Sequence, residues 1–299
     1  VASLVGIFSM LNFWIYVHAR IAMLDMFMVT FLLLAFYYFL KYKLEVKSKI
    51  NFYLSSLFWG LAVAIKWSAV FIYLPFFIIL LIENHTKENL IDLFLFGLFS
   101  VYIYFVTFFP YMLVSGNFKM SFSQIFLSTP FVMLKLQESV PANHPYQSAW
   151  YTWPFMIRPI WFEFIRDPNS PFFKGVVLLG NPMQMLMGLV SVLGLAITFK
   201  KINGIAKSAL ILFLFSWLVW AIAPRKLSFF YYFFPSAIFY SFLIPMFLKV
   251  MLADKKFKIS LGIITFLSLI LFIYFFPIIS GEEALEATRT KWHWLQSWI

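Results

Sequence analysis

Residues 52–82 read FYLSSLFWGLAVAIKWSAVFIYLPFFIILLI, an apolar run interrupted in its middle by Lys66-Trp67-Ser68. At the helical rise one unbroken helix here would be about 46 Å long, against a hydrocarbon thickness of about 30 Å. The polar break therefore predicts two short spans that meet at Lys66. Other apolar runs lie at 2–18, 24–40, 91–110, 182–199, 208–223, 229–248 and 259–278. With the two halves 52–65 and 68–82, the expectation is an all-α integral membrane protein, a polytopic bundle of about nine transmembrane helices.

Composition supports lipid as the solvent. Of the 299 residues 63% are hydrophobic and 12% charged, whereas a soluble domain is nearer half apolar and a quarter charged. The 41 phenylalanines and 11 tryptophans fit a lipid-facing surface with aromatic belts. A net charge of +11 would point to nucleic acid in a soluble protein; here basic loops beside anionic lipid account for it, and nucleic acid is not an expected partner. The absence of cysteine excludes disulfides, thiolate metal sites and a cysteine nucleophile.

Charge placement sets the topology. Lys41, Lys43, Lys47, Lys49, Lys87, Lys200, Lys201, Lys207, Lys249, Lys255, Lys256 and Lys258 make up more than half of the 23 basic residues and fall in four short turns. The positive-inside rule puts those turns in the cytoplasm. The opposite face then carries Arg20 to Asp25, the Lys66 break, the loop 111–180, the turn Pro224-Arg225-Lys226 and the C-terminal tail. The loop holds Trp150, Trp153 and Trp161 between Pro141, Pro145, Pro154 and Pro159, and is expected to lie on the membrane surface as short helices. The chain opens Val1-Ala2-Ser3-Leu4 inside an apolar run with no basic flank, unlike a signal peptide, and reads as the interior of a longer protein.

Several polar groups on that outer face are candidates for chemistry. His18, Arg20 and Asp25 sit at the junction of the first two spans, a depth where ionisable groups are costly and mark substrate paths; alternatively Arg20 and Asp25 pair with each other or cap a turn. Lys66 is either a ligand or a snorkelling interfacial lysine. Arg225 and Lys226 form a basic pair in a short outer turn, where orientation gives no reason for them but a lipid-linked phosphate would. The segment His144-Pro145-Tyr146-Gln147-Ser148-Ala149-Trp150-Tyr151-Thr152-Trp153-Pro154, followed by Arg158 and Glu163, combines aromatic faces with amide, hydroxyl and imidazole groups as sugar sites do; an interfacial aromatic belt has a similar composition. No catalytic triad, metal-ligand spacing or phosphate-cradling glycine loop is visible.

Five stretches resemble one family in order. Ala19-Arg20-Ile21-Ala22-Met23-Leu24-Asp25 is similar to the Ser-Arg-Ile-Ala-Leu-Leu-Asp motif of protein O-mannosyltransferases, and Gly60-Leu61-Ala62-Val63-Ala64-Ile65-Lys66-Trp67-Ser68 to their Gly-Leu-Ala-x-x-x-Lys-Trp segment. His144-Pro145-Tyr146 with Ser148, Trp150, Trp153-Pro154 and Arg158-Pro159 resembles their external loop. Leu179-Gly180-Asn181-Pro182 resembles the start of their C-terminal four-helix module, and Trp294-Leu295-Gln296-Ser297-Trp298-Ile299 the end of bacterial members.

The resemblance implies a glycosyltransferase C-type membrane enzyme that moves mannose from a polyprenyl-phosphate carrier to Ser or Thr hydroxyls of translocated protein. It implies no cofactor, the lipid-linked sugar being the substrate. The expected partners are polyprenyl-phosphate-mannose, the acceptor polypeptide, the bilayer and the translocation machinery, at the bacterial plasma membrane with the active face outward. The chain then divides into 1–115 as part of the transferase module, 116–180 as the external aromatic loop and 181–299 as the four-helix module. The family's catalytic acidic pair belongs to a first external loop ahead of everything here, so no catalytic residue is assigned and this chain alone is expected to be inactive. The substrate-binding set is Arg20, Asp25, Lys66, His144, Tyr146, Trp150, Trp153, Arg158, Arg225 and Lys226. Rival readings are a related transferase moving aminoarabinose to lipid A, a transporter, and a non-enzymatic scaffold. A transporter is opposed by the lack of internal repeats and of paired broken helices.

Overall fold

The structure, a computed structural model, describes residues 2–44, 48–75, 78–79, 87–114, 124, 128–139, 143–223 and 227–298. In chain order its helices are α1 (Ala2–Met10), α2 (Phe13–Arg20), α3 (Leu24–Leu44), α4 (Lys49–Ile65), α5 (Lys87–Val106), α6 (Phe109–Val114) and α7 (Thr129–Glu138). After a strand pair, β1 (Ile160–Arg166) and β2 (Phe172–Leu178), come α8 (Pro182–Ile197), α9 (Gly204–Leu218), α10 (Phe234–Ala237), α11 (Tyr240–Met251) and α12 (Asp254–Ser280), then β3 (Ala284–Leu285). Among the described residues, α3, the segment 204–221 and α12 are long and apolar enough to cross a bilayer, and the segment 230–237 with α11, bent by 45°, is a broken span or a re-entrant loop. Shorter apolar helices run over 49–65, 90–106 and 182–197. The protein is an integral membrane protein built mainly of helices.

Local chemistry explains where the expected spans break. The run 2–18 is two helices rather than one, because the Asn12 side chain accepts a hydrogen bond from the Trp14 amide and caps α2, a stronger role for Asn than the middle of a helix. The break at Lys66 is present: α4 ends at Ile65, Lys66 is extended (φ −154°, ψ 123°), and a 3-10 turn follows over Trp67–Ile72. Part of the span expected at 68–82 lies outside the described residues.

The loop 111–180 departs from the expected short helices. It does contain α7 and a 3-10 turn over Trp150–Phe155, but its second half is an antiparallel hairpin, β1 with β2, whose register slips between Trp161 and Glu163. The strand β3 adds to β2 through Phe172 and Phe173, giving the order β1-β2-β3. The β-branched and aromatic content of Ile160–Arg166 and Phe172–Leu178 suits a pleated surface, and Asp167-Pro168-Asn169-Ser170 supplies the turn, the Asn169 amide donating to the Asp167 carboxylate at 2.8 Å.

The chain forms two compact units. One comprises 23–141 with 224–226; the other comprises 1–22, 142–223 and 227–299. In the first, α4 packs between α3 and α5. Ser55 Oγ donates to the Ala35 carbonyl and Ser56 Oγ to the Phe96 carbonyl, both at 2.8 Å. Gly60 lets α4 approach α5 so closely that a Cβ there would stand 2.6 Å from the Ser100 carbonyl oxygen, the small-residue contact that membrane helices favour. In the second unit α8 packs on α11 and α12 packs on β2. Asn181 is its stitch: 1% exposed, it caps α8 by accepting from the Met183 amide and donates through Nδ2 to the carbonyls of Leu11 (3.2 Å) and Ser268 (2.9 Å). Pro182 follows at the first helical position, where its missing N–H costs nothing.

Candidate functional site

In the unit 23–141, the acidic and basic candidates find each other. Asp25 lies in the first turn of α3 and is 2% exposed; both its oxygens accept from Lys66 Nζ, at 2.7 and 2.8 Å. In the other unit Arg20 is exposed, donates from Nη1 to the Tyr16 hydroxyl at 2.8 Å, and lies over the Tyr16 ring. Next to Lys66, Trp67 Nε1 donates to the Tyr104 hydroxyl at 3.0 Å. Beneath this pair of aromatic groups is a cavity of about 490 Å³, lined by Trp59, Trp67, Tyr73, Tyr104, Phe105 and Phe131 among others. Its walls offer almost no polar surface, so it suits a hydrocarbon chain better than a sugar.

In the other unit, the loop 143–158 and the segment 227–233 form one surface. Gln147 pairs with Phe229 as an isolated antiparallel bridge, the Ser148 amide donates to the Ser228 carbonyl at 3.0 Å, and Ser228 Oγ donates to the Ser148 carbonyl at 2.8 Å. His144 is exposed; its Nδ1 accepts from the Tyr146 amide at 3.2 Å and its ring meets the Phe229 ring edge-on at 5.0 Å. Tyr146 is half-buried beneath the Arg158 guanidinium, 5.5 Å from the ring centroid. Trp150 stands against Trp217, whose indole N–H donates to the Trp150 carbonyl at 2.9 Å.

Two of the sequence-derived candidates turn out to be internal. Trp153 is fully buried, donates to Ser148 Oγ at 3.0 Å and packs on Trp220 and Tyr232; it is the core of the loop. Arg158 directs Nε and Nη2 at the Pro145 carbonyl (3.2 and 3.0 Å) and Nη1 at the Ser297 carbonyl (2.8 Å). Those partners are neutral carbonyls. Arg225 and Lys226 lie outside the described residues, and the chain continues from them directly into Leu227 and Ser228. Of the residues that share the loop's surface, Ser228, Phe229, Trp217 and Trp220 were missed by sequence reasoning, which took Phe229 as the start of a span. The signal available was the polar Ser228 at the head of an aromatic run.

His293 in the tail is held below the ordinary imidazole value, first by burial and then by Arg289, with Glu286 opposing. Its ring meets Trp161 edge-on at 6.2 Å. Among the described residues there is no cluster of histidine and carboxylate groups arranged to hold a metal ion.

Comparison with known proteins identifies both parts of the chain. No significant match is found among curated proteins or among solved structures. Residues 1–126 match the family described as dolichyl-phosphate-mannose-protein mannosyltransferase, and residues 122–298 match the C-terminal four-transmembrane region of protein O-mannosyltransferase. The motif around Arg20, the Lys66 break, the aromatic loop and the Asn181 cap thus fall within matched sequence, and the chain belongs to the dolichyl-phosphate-mannose–protein mannosyltransferase family.

Proposed function

We propose that this chain takes part in transferring mannose from a polyprenyl-phosphate carrier to Ser or Thr hydroxyls of secreted or membrane proteins, at the outward face of a bacterial plasma membrane. The observation that carries the reading is the joining of the His144 loop to the 227–233 segment, which follows Arg225-Lys226 directly in the chain. In the reaction the acceptor oxygen bonds to the anomeric carbon, the bond from that carbon to the phosphate oxygen breaks, and the hydroxyl proton leaves to a base. Polyprenyl phosphate departs with growing negative charge, which fixed cations stabilise. Arg225 and Lys226, with Arg20, are proposed to hold that phosphate, and His144, Tyr146 and Trp150 to face sugar and acceptor. The apolar cavity under Trp67 and Tyr104 is proposed as the path of the prenyl chain. No residue of this chain is assigned the base; Asp25 is occupied by Lys66. The same reading keeps the nine-span, C-type arrangement and its division at about residues 115 and 180.

The test is transfer from polyprenyl-phosphate-mannose to a threonine peptide in membranes that hold the full-length protein. Arg225→Ala with Lys226→Ala is expected to lower transfer at least a hundredfold at unchanged protein level. Wild-type turnover in that variant rejects the phosphate assignment.

A further inference from the structure

The end of the chain is tied to the aromatic loop by hydrogen bonds from Trp298, Ser297, Trp161 and Arg158. The turn Gln296–Trp298 meets residues 156–161 across about 140 positions of sequence. Trp298 donates from Nε1 to the Met156 carbonyl at 2.6 Å, and its own carbonyl accepts from Trp161 Nε1 at 3.0 Å. Ser297 Oγ donates to the Ile157 carbonyl, and the Ser297 carbonyl accepts from Arg158 at 2.8 Å. Through the same guanidinium the tail reaches the Pro145 carbonyl, at the head of the loop. Trp298 is 5% exposed and stacks on Trp294, and both rings lie against Phe275 of α12.

The point of attachment is a strained one. Met156 ends the 3-10 turn Trp150–Phe155 in the left-handed region, φ 53° and ψ 37°. A non-glycine side chain holds that conformation only where its surroundings over-determine it, and here the surroundings are Trp298 on the Met156 carbonyl and Ser297 on the next one. The turn at Met156 sets the direction in which the chain leaves the loop that carries His144 and Tyr146.

We propose that residues 293–298 are a latch for the loop 143–158, with Trp298 and Arg158 as positioning residues for acceptor recognition. The second half of that statement rests on the mannosyltransferase reading above; the first does not. The latch acts through two routes, the indole N–H on Met156 and the Arg158 fork that joins Pro145 to Ser297. Arg158 therefore serves by geometry, since a lysine would keep the charge but could not reach both carbonyls with a planar fork.

The experiment pairs hydrogen exchange of the full chain in detergent with transfer kinetics. In Trp298→Ala, exchange at the amides of Thr152 and Met156, both hydrogen-bonded within the loop, is expected to rise about tenfold or more, the scale of one net hydrogen bond. Amides of α4 and α9 should stay unchanged. Trp298→Phe, which keeps an aromatic ring but loses the N–H and the bulk of the indole, and Arg158→Lys should each show the same rise in weaker form, and they answer the question if Trp298→Ala does not fold. For transfer, the acceptor-peptide KM is expected to rise by a similar factor, about tenfold, with donor KM and kcat retained. Loop exchange unchanged in all three variants, or raised equally in α9, overturns the latch. With kinetics read on the full-length protein, a wild type that transfers no mannose while the exchange result holds overturns the function and leaves the latch standing. An equal fall of kcat with unaltered KM overturns the acceptor-positioning role.

Discussion

Lys66 and Arg158 are two cations of the substrate-binding set expected from the sequence, and the structure treats them in opposite ways. Lys66 is given a counter-charge: the buried Asp25 carboxylate takes its ammonium on both oxygens. Arg158 is given only neutral carbonyls, those of Pro145 and Ser297. The first arrangement spends a charge to hold two helices, α3 and the end of α4, in a largely apolar unit. The second holds a loop and leaves the positive charge in place. A cation near a binding surface is thus not one kind of residue; what matters is whether its partner cancels it.

The largest effect is expected where the cancelled pair is broken. Lys66→Met would strand the Asp25 carboxylate, and loss of one partner of a buried pair costs about 3–5 kcal/mol. The measurement is thermal unfolding in detergent. Asp25→Asn combined with Lys66→Met should recover most of that loss, because the desolvated charge is gone. If the double variant is as unstable as the single one, the pair is not what joins α3 to α4. The companion test in the other unit removes a neutral stitch. Asn181→Ala deprives the Leu11 and Ser268 carbonyls of their donor and uncaps α8, for an expected loss of about 2 kcal/mol. A loss equal to that of Lys66→Met would erase the distinction between charged and neutral fastening.

Hydropathy and charge made part of this architecture legible in advance. The break at Lys66 could be read because an apolar run too long for a bilayer needs a reason to stop, and a lysine beside Trp67 is that reason. The Leu179-Gly180-Asn181-Pro182 stretch could be matched as a motif, but its work could not: the two carbonyls that Asn181 reaches are 170 and 87 residues away. The hairpin from Ile160 to Leu178 was invisible for a related reason. Its strands are exposed on several positions and slip register at Phe162, so the alternation that betrays a strand is blurred, and proline and tryptophan nearby suggested surface helices instead. Trp153 illustrates the limit for the site itself. A tryptophan in a sugar-like composition reads as a platform, yet burial by Trp220 and Tyr232, from a segment assigned to other spans, turned it into core.

The smallest effect sharpens the contrast at the tail. His293 has its proton affinity lowered by burial and by Arg289, so the folded tail binds a proton less readily than the free chain does. Stability then rises with pH wherever the unfolded state holds more protons. The contribution of a neutral His293 is therefore complete above the ordinary imidazole value of about 6.5 and is lost as the pH falls below it. Docking of the tail should weaken between neutral and mildly acidic pH, seen as faster exchange at the Thr152 and Met156 amides. His293→Phe should flatten the dependence while keeping the edge contact with Trp161. A pH response of equal size at α4 would mean that the acid sensitivity belongs to the whole protein, and that the neutral fastening of the loop is no more exposed to protons than the charged one.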